Sequence, residues 1–479
     1  MAYTWVPSIK HYPHFDKSIR PSDIWKLVRN PDRVAANAFY PFLKYEKRWQ
    51  PFRGSEFDKA VSGFQKPEKK EREIRYASRR DSYIYSYYRH MLSGYYENAL
   101  AANGLSKNVI AYRRVKSSAG RGKSNVEFAY DAFIEIRKLG NCGVVALDIS
   151  KFFESIDHGI LKKQWCSLLG VADLPKDHAA VFRSITSYAV VDRAAAYERL
   201  GYVERKIVKG NERLVYTKKF RETPRQLCSN GDFRVKICGQ GGAFSKLVRK
   251  NEKEYGIPQG SPISDMLANL YLIEFDRAVN QFVINIGGTY YRYSDDILII
   301  VPGGVAEANC ARDFAMNEIK KHGDNLLIKD SKTSLLVYKQ DGKNQIFERI
   351  DGKGRNDLEY LGFRYDGKKI RIRDATISGL YRKISSAAKV VARKQVKRYK
   401  NKDLKYLLEK FDHSAFMKRY GRVLDFEVES DYRDWTFWTY AKRSIDTFGA
   451  LGSPISNQLR NYKRICRSRV ESEITKMHK

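Results

Sequence analysis

The sequence predicts an α+β fold built from several subdomains, and three observations carry that reading. Of the 479 residues, 43% are hydrophobic and 13% aromatic, which is enough for a large core and too much for wholesale disorder. Apolar runs of strand length, VVALDI (144–149) and ILIIV (297–301), stand among segments of helical period. At roughly 100 to 200 residues per domain, this length implies two to four subdomains. Lys and Arg number 89 against 55 Asp and Glu, a formal charge of +34. Such an excess points to a polyanionic partner, nucleic acid first and an anionic membrane second. The membrane reading weakens because no apolar run approaches the roughly 18 to 20 residues of a bilayer span. The first residues hold no apolar signal core. Six cysteines lie far apart and never as C-x-x-C, and no H-x-x-x-H occurs. These spacings argue for a reduced, cytoplasmic protein whose metal is held by carboxylates.

The first 70 residues place Trp5, Trp25 and Trp49 in basic surroundings and end in a charge run, 66–73, that reads as a boundary. Residues 74–100 turn helical in their second half, with Tyr and Arg interleaved. A strand-like piece follows, then a Gly/Ser/Lys loop at 117–124 of the kind that touches phosphate, then an amphipathic helix from about Val126. VVALDI has the continuous apolar character of a buried strand, with Asp148 at its carboxyl end, where α/β sheets place functional groups. A helix is expected next, then an irregular or β-rich insertion over 192–250. GIPQG (256–260) is a Gly/Pro turn opening one long helix, with Leu267, Leu270, Tyr271 and Phe275 or Ile273 facing inward. TYYRYSDDILIIV (289–301) reads as two strands joined by a tight Ser-Asp-Asp turn. Past Ala375 the chain is basic and helical, and no internal repeat is visible.

Asp295 and Asp296 are adjacent carboxylates in a turn between two strongly strand-forming runs. Like charges so close resist ionising together unless a cation lies between them. Pairing of their hairpin with the strand ending in Asp148 would bring three carboxylates to one point. Two Mg²⁺ ions about 3.5 to 4 Å apart, held by such groups, activate an attacking hydroxyl and stabilise a leaving oxygen at phosphorus. Phosphoryl transfer is the chemistry implied.

In these residues the chain resembles a reverse transcriptase. Asp148 matches the motif A aspartate, YSDD (293–296) the Y-x-D-D of motif C, and GIPQG with its helix motif B. KTSLLVY from Lys332 resembles motif D, and EYLGF from Glu359 the primer grip. The resemblance covers about 110–365. It implies a right-hand polymerase: an N-terminal extension (1–70), fingers (71–140), a palm with a ferredoxin-like sheet (141–375), and a basic α-helical, thumb-like domain (376–479). It assigns Asp148, Ile149, Asp295 and Asp296 to two Mg²⁺ ions, with Mn²⁺ as a substitute, and Lys332 to the acid that protonates departing pyrophosphate. Phe153 matches the steric gate against a 2′-hydroxyl, Gln259 a contact to nucleotide and template, and Arg113, Arg114 and Lys116 the cations that clamp a triphosphate.

S-D-x-L-A-N (264–269), AYRR with GKSN (111–125) and SRRDSYIYSYY (78–88) are similar to bacterial abortive-infection and defence-associated reverse transcriptases. That likeness implies antiphage defence, a noncoding RNA template, dNTPs and a DNA product, homo-oligomers, and a C-terminal domain unlike a standard thumb. Untemplated or protein-primed DNA synthesis, RNA-directed RNA synthesis and an inactive RNA-binding scaffold are the rival readings. Outside these motifs, Asp157 and His158 read as helix caps and DWTFWTYAKR (434–443) as helix packing. RNYKRICRSR (460–469) has a single sign of charge that suits a phosphate backbone.

Overall fold

The computed structural model describes residues 4–49, 70–117, 120–208, 210–221, 225–352, 356–420 and 437–478. Parts of three sequence features, 66–69 of the charge run, 118–119 of the glycine loop and 434–436 of the aromatic segment, lie outside them. Among the described residues no helix is long and apolar enough to cross a membrane.

The architecture is mixed α+β. Strands β1 (Phe42–Trp49) and β2 (Lys70–Tyr76) form an antiparallel hairpin with Leu43 opposite Tyr76. The boundary expected at 70/71 therefore falls on a strand whose partner lies upstream. Helix α1 (Arg79–Ala102) follows, capped by the Ser78 hydroxyl, and then α2 (Asn125–Leu139), which opens with a capping box between Ser124 and Glu127. The central strand β3 (Cys142–Ser150) leads into α3 (His158–Leu169), whose N-terminus the Asp157 carboxylate caps. Strand β4 (Ala189–Asp192) runs parallel to β1. A hairpin, β5 (Val203–Val208) and β6 (Asn211–Tyr216), stands within the expected insertion, and β7 (Arg249–Lys250) returns to pair with β4.

The single long helix expected after GIPQG is instead two, α4 (Ser264–Tyr271) and α5 (Ile273–Asn285). At the break the Asn269 carbonyl accepts from the Tyr96 hydroxyl at 3.2 Å and from Arg292 Nη2 at 3.4 Å. Side chains inserted into the i to i+4 ladder are a common cause of such interruptions.

Strands β8 (Thr289–Tyr293) and β9 (Asp296–Pro302), helix α6 (Val305–Ile319), the short β10 (Leu327–Ile328), β11 (Ser334–Asp341) and β12 (Asn344–Arg349) complete the central sheet, ordered β12-β11-β3-β9-β8 with β10 also on β3. A small sheet, β13 (Leu358–Tyr360), β14 (Phe363–Tyr365) and β15 (Ile370–Ile372), precedes α7 (Asp374–Arg398), α8 (Phe437–Phe448) and α9 (Tyr462–His478). α7 and α9 pack together. Leu380, Ile384, Ala388 and Ala392 recur every four residues on one, and Tyr462, Cys466, Val470 and Ile474 on the other, so matching ridges interdigitate.

Strand alternation divides the core. Val145, Leu147, Ile149, Ile297, Ile299 and Val301 face one hydrophobic cluster with α1, α4 and α5. Cys142, Val144, Leu298 and Ile300 face the other, with α2, the small sheet and the C-terminal helices. Because both faces are covered, VVALDI and ILIIV read as unbroken apolar runs.

Candidate active site

Strands β3 and β9 are antiparallel with Asp148 directly opposite Asp296, and the Ile149 amide donates to the Asp295 carbonyl at 3.0 Å. Residues so opposed project from the same face of a sheet. Tyr293 pairs with Asp296, leaving Ser294 and Asp295 as a two-residue turn. Ser294 has φ +61°, the left-handed first residue that primed hairpin turns require. The structure thus brings Asp148, Asp295 and Asp296 to one end of the central sheet, with Ile149 paired to Ile328 of β10. Burial and the neighbouring charges of Asp295 and Asp148 push Asp296 up to about 7. Asp295 is raised by burial and by Asp148.

Three cations surround this acidic end. Lys332, closing the short turn Asp330–Lys332, pairs with Asp148 Oδ1. Arg373, just before α7, draws the Asp296 pKa downward, and Arg72 on β2 does so for Asp295. Arg373 bonds Glu359 at 2.8 Å, and its buried Nε has no partner among the described residues.

The turn rests on a buried scaffold that sequence reading missed. Arg292 and Asp276, both fully buried, form a bidentate pair at 2.6 and 2.5 Å. Arg292 also donates to the Ser294 carbonyl at 3.1 Å and to Asn269 Oδ1 at 3.2 Å, while Asn269 donates to the Ala111 carbonyl at 2.9 Å. Tyr112, at φ +60°, meets the Ser294 hydroxyl with its own at 3.2 Å. Its carbonyl accepts from Arg89, which grips both oxygens of Asp265 at 2.8 Å. The signal was present: in TYYRY, Arg292 shares the inward phase with Tyr290, and Asp276 lies on the apolar stripe of α5. A charge at each inward position calls for the other.

The remaining expected residues are placed as follows. Phe153 is half-buried, and its carbonyl accepts from Ile257 at 2.8 Å, joining it to the GIPQG turn. The Gln259 carbonyl accepts from the Arg75 amide at 2.8 Å. Gly260 has φ +112°, and a Cβ there would lie 2.7 Å from the Arg75 carbonyl oxygen, so only glycine permits this approach. Arg113 is engaged elsewhere, holding Glu97 at 2.8 and 2.5 Å and the carbonyls of Ser106 and Val109. Arg114 is exposed beside His90, whose pKa falls through burial and that charge. Lys116 is exposed and bridges Gly122 across the base of the loop. Arg113 is thus committed to Glu97 and the backbone, whereas Lys332 pairs with Asp148.

The donor set suits a hard divalent cation: carboxylate oxygens at one sheet end, two of them raised in pKa by burial and mutual charge, a stress that a cation would relieve. Among the described residues no three such groups already form a metal cluster, and Lys332 holds one Asp148 oxygen.

Residues 219–365 match the family described as reverse transcriptase (RNA-dependent DNA polymerase). The match takes in the GIPQG turn, the Ser294 hairpin, Lys332 and the first two strands of the small sheet, β13 and β14. It starts downstream of Asp148, which the β3–β9 pairing brings in. No curated protein matches. Among solved structures, a truncated apo telomerase from Candida tropicalis is similar at 10% identity and TM-score 0.38, over 63% of this chain and 52% of that one. Telomerase from Candida albicans in complex with a fragment of telomeric RNA is similar at 11% identity and TM-score 0.37, over 95% and 65%. The chain thus spans about half to two thirds of the length of these structures.

Proposed function

We propose that this chain is an RNA-directed DNA polymerase that extends a primer by nucleotidyl transfer. The observation that carries the reading is the register placing Asp148 opposite Asp296 beside Asp295. Two divalent ions bound there would lower the pKa of the primer hydroxyl and neutralise charge on the triphosphate. Asp148, Asp295 and Asp296 would hold them. Lys332 stands where it can leave Asp148 and give its proton to the departing pyrophosphate. In right-hand terms the central sheet is the palm, the β1–β2 hairpin and α1 belong to the fingers, and α7 to α9 form a thumb-like domain. Phe153, linked to the GIPQG turn, is the sugar gate, and Gln259 the base contact.

The finer reading, a bacterial antiphage enzyme working with a noncoding RNA, is supported by the S-D-x-L-A-N, AYRR and SRRD motifs and by the charge of +34. Replacing Asp295 and Asp296 together by Asn is expected to abolish dNTP incorporation on an RNA template while RNA affinity stays within about twofold, charge-neutralised turn and all. Retained incorporation by that variant sinks the proposal. Phe153→Ala is expected to admit ribonucleotides, measured as the ratio of rNTP to dNTP incorporation.

A further inference from the structure

The segment 192–250 forms a lobe seated on β1 and the chain around Phe15. It leaves the sheet through β4 and returns through β7, and these strands pair at its stem, Ala189 opposite Lys250 and Val190 opposite Arg249. Its small core gathers Tyr197, Leu200, Tyr202, Val203, Leu227 and Ile237, joined to Leu43 of β1. Within these residues the sequence has fifteen Lys and Arg against six Asp and Glu.

Among the described residues the lobe's carboxylates are taken up internally. Glu198 and Glu212 pair with Arg205, Glu204 with Lys206, and Asp232 with Lys236, while Asp192 caps a helix. Arg213, Lys218, Arg225, Arg234 and Lys246 are exposed and make no ion pair among the described residues. Apolar groups lie exposed among them. On one face of the β5–β6 hairpin Ile207 is 81%, Leu214 44% and Tyr216 57% exposed, and Phe244, with Arg199 over its ring, is 38% exposed. The same face carries Arg205, paired with Glu198 and Glu212, and the Tyr216 ring packs on Phe220 with 4.2 Å between centroids. Unpaired cations interleaved with exposed rings match what RNA offers, a polyphosphate backbone with unstacked bases in its loops.

We propose that this lobe is a docking surface for a structured RNA, its phosphates held by these five exposed cations and unpaired bases stacked on Tyr216 and Phe244. The proposal rests on the polymerase reading only for the identity of the RNA as template or cofactor. The excess of unopposed positive charge favours RNA over a protein occupant.

The test uses the full chain and a fluorescein-labelled RNA stem-loop with an unpaired uridine loop, alongside the DNA hairpin of the same sequence. Arg213, Lys218, Arg225 and Arg234 are changed together to Glu, and in a second, gentler set to Gln. Tyr216→Ala with Phe244→Ala forms a third variant. Both charge variants are expected to weaken RNA binding at least about tenfold and to flatten the dependence of log affinity on log salt, since each lost phosphate contact removes about 0.9 from the slope. The ring variant is expected to lose affinity for the stem-loop and keep it for a fully paired stem. Wild-type affinity and slope in the Gln set, or tighter binding of the DNA hairpin than of the RNA, overturns the proposal. Primer extension on a saturating preannealed template is measured in parallel. If the wild type extends nothing while the lobe variants still lose RNA, the polymerase reading falls and the lobe assignment stands. If it extends and the variants bind RNA as before, the lobe assignment alone falls.

Discussion

Ser294 and Tyr112 are non-glycine residues with φ near +60°, and they touch. Each left-handed residue costs about 1 to 3 kcal/mol and persists only where its surroundings hold it. Arg292 fixes the Ser294 carbonyl, and Arg89 that of Tyr112. Tyr112→Phe, which keeps the ring, is expected to leave the melting temperature within a few degrees while weakening Mn²⁺ binding, read by the metal's electron paramagnetic resonance without nucleotide. Arg292→Met strands the buried Asp276 carboxylate, and breaking such a pair costs about 3 to 5 kcal/mol. Urea denaturation should show that loss, and adding Asp276→Leu should recover much of it.

A titration prediction belongs at this scale too. His14 is fully buried, and burial together with Arg79 lowers its pKa to about 3, with Asp16 at 3.9 Å and the rings of Tyr40 and Tyr76 beside it. A depressed histidine adds stability above its unfolded value near 6.5 and loses it as pH falls toward 3. Asp81 works in the opposite sense: burial raises it to about 6 despite bonds from Asn37, Tyr40 and Ser78. Its contribution is therefore complete below about 3.8 and is lost as pH rises through 6. His14→Gln should flatten the fall in unfolding free energy between pH 6.5 and 4, and Asp81→Asn should steepen it.

Among the elements, what could be read in advance was whatever period and turn chemistry declare locally. The buried strands around Asp148 and after Asp296, the β8–β9 hairpin at the Ser-Asp-Asp turn and the helix from about Val126 all stand where apolar runs, turn residues and helical period placed them. The register that sets Asp148 against Asp296 was legible only as an expectation, because two acidic strand ends have a reason to meet only if a cation joins them. The break between α4 and α5 was not legible, since the groups that interrupt it, Tyr96 and Arg292, are distant in sequence. Arg72 was hidden inside a charge run that looked like a solvated boundary. Its strand becomes visible only once β1 pairs with it. Two of the motif segments, 111–125 and 264–269, touch through Asn269–Ala111, and Arg89, the residue just past 78–88, pairs with Asp265. One further contact ties elements together: Arg443 of α8 pairs with the α2 capping residue Glu127 at 2.6 Å and donates to Gly122 at 2.9 Å. Glu127→Gln should weaken both the cap and this clasp by about 1 kcal/mol. Limited proteolysis is expected to cut the 117–124 loop faster in that variant.

For the whole molecule, a charge of +34 sets the scale of nucleic-acid affinity before any base is read. RNA binding by the wild type is expected to fall steeply, by about 10³-fold or more, between 50 and 200 mM salt if six or more phosphates are neutralised. Fluorescence anisotropy across that range would measure it, and a shallow dependence would mean that most of the cations serve solubility alone.

On the two proposals, the strand pair at the stem of the 192–250 lobe separates the part that grips RNA from the part that catalyses. Because β4 and β7 lie side by side at the edge of the sheet that carries β1 and β2, the lobe's two ends meet there, away from the central sheet that holds the carboxylates. A descendant could exchange that cassette for another and change its cargo without moving a carboxylate.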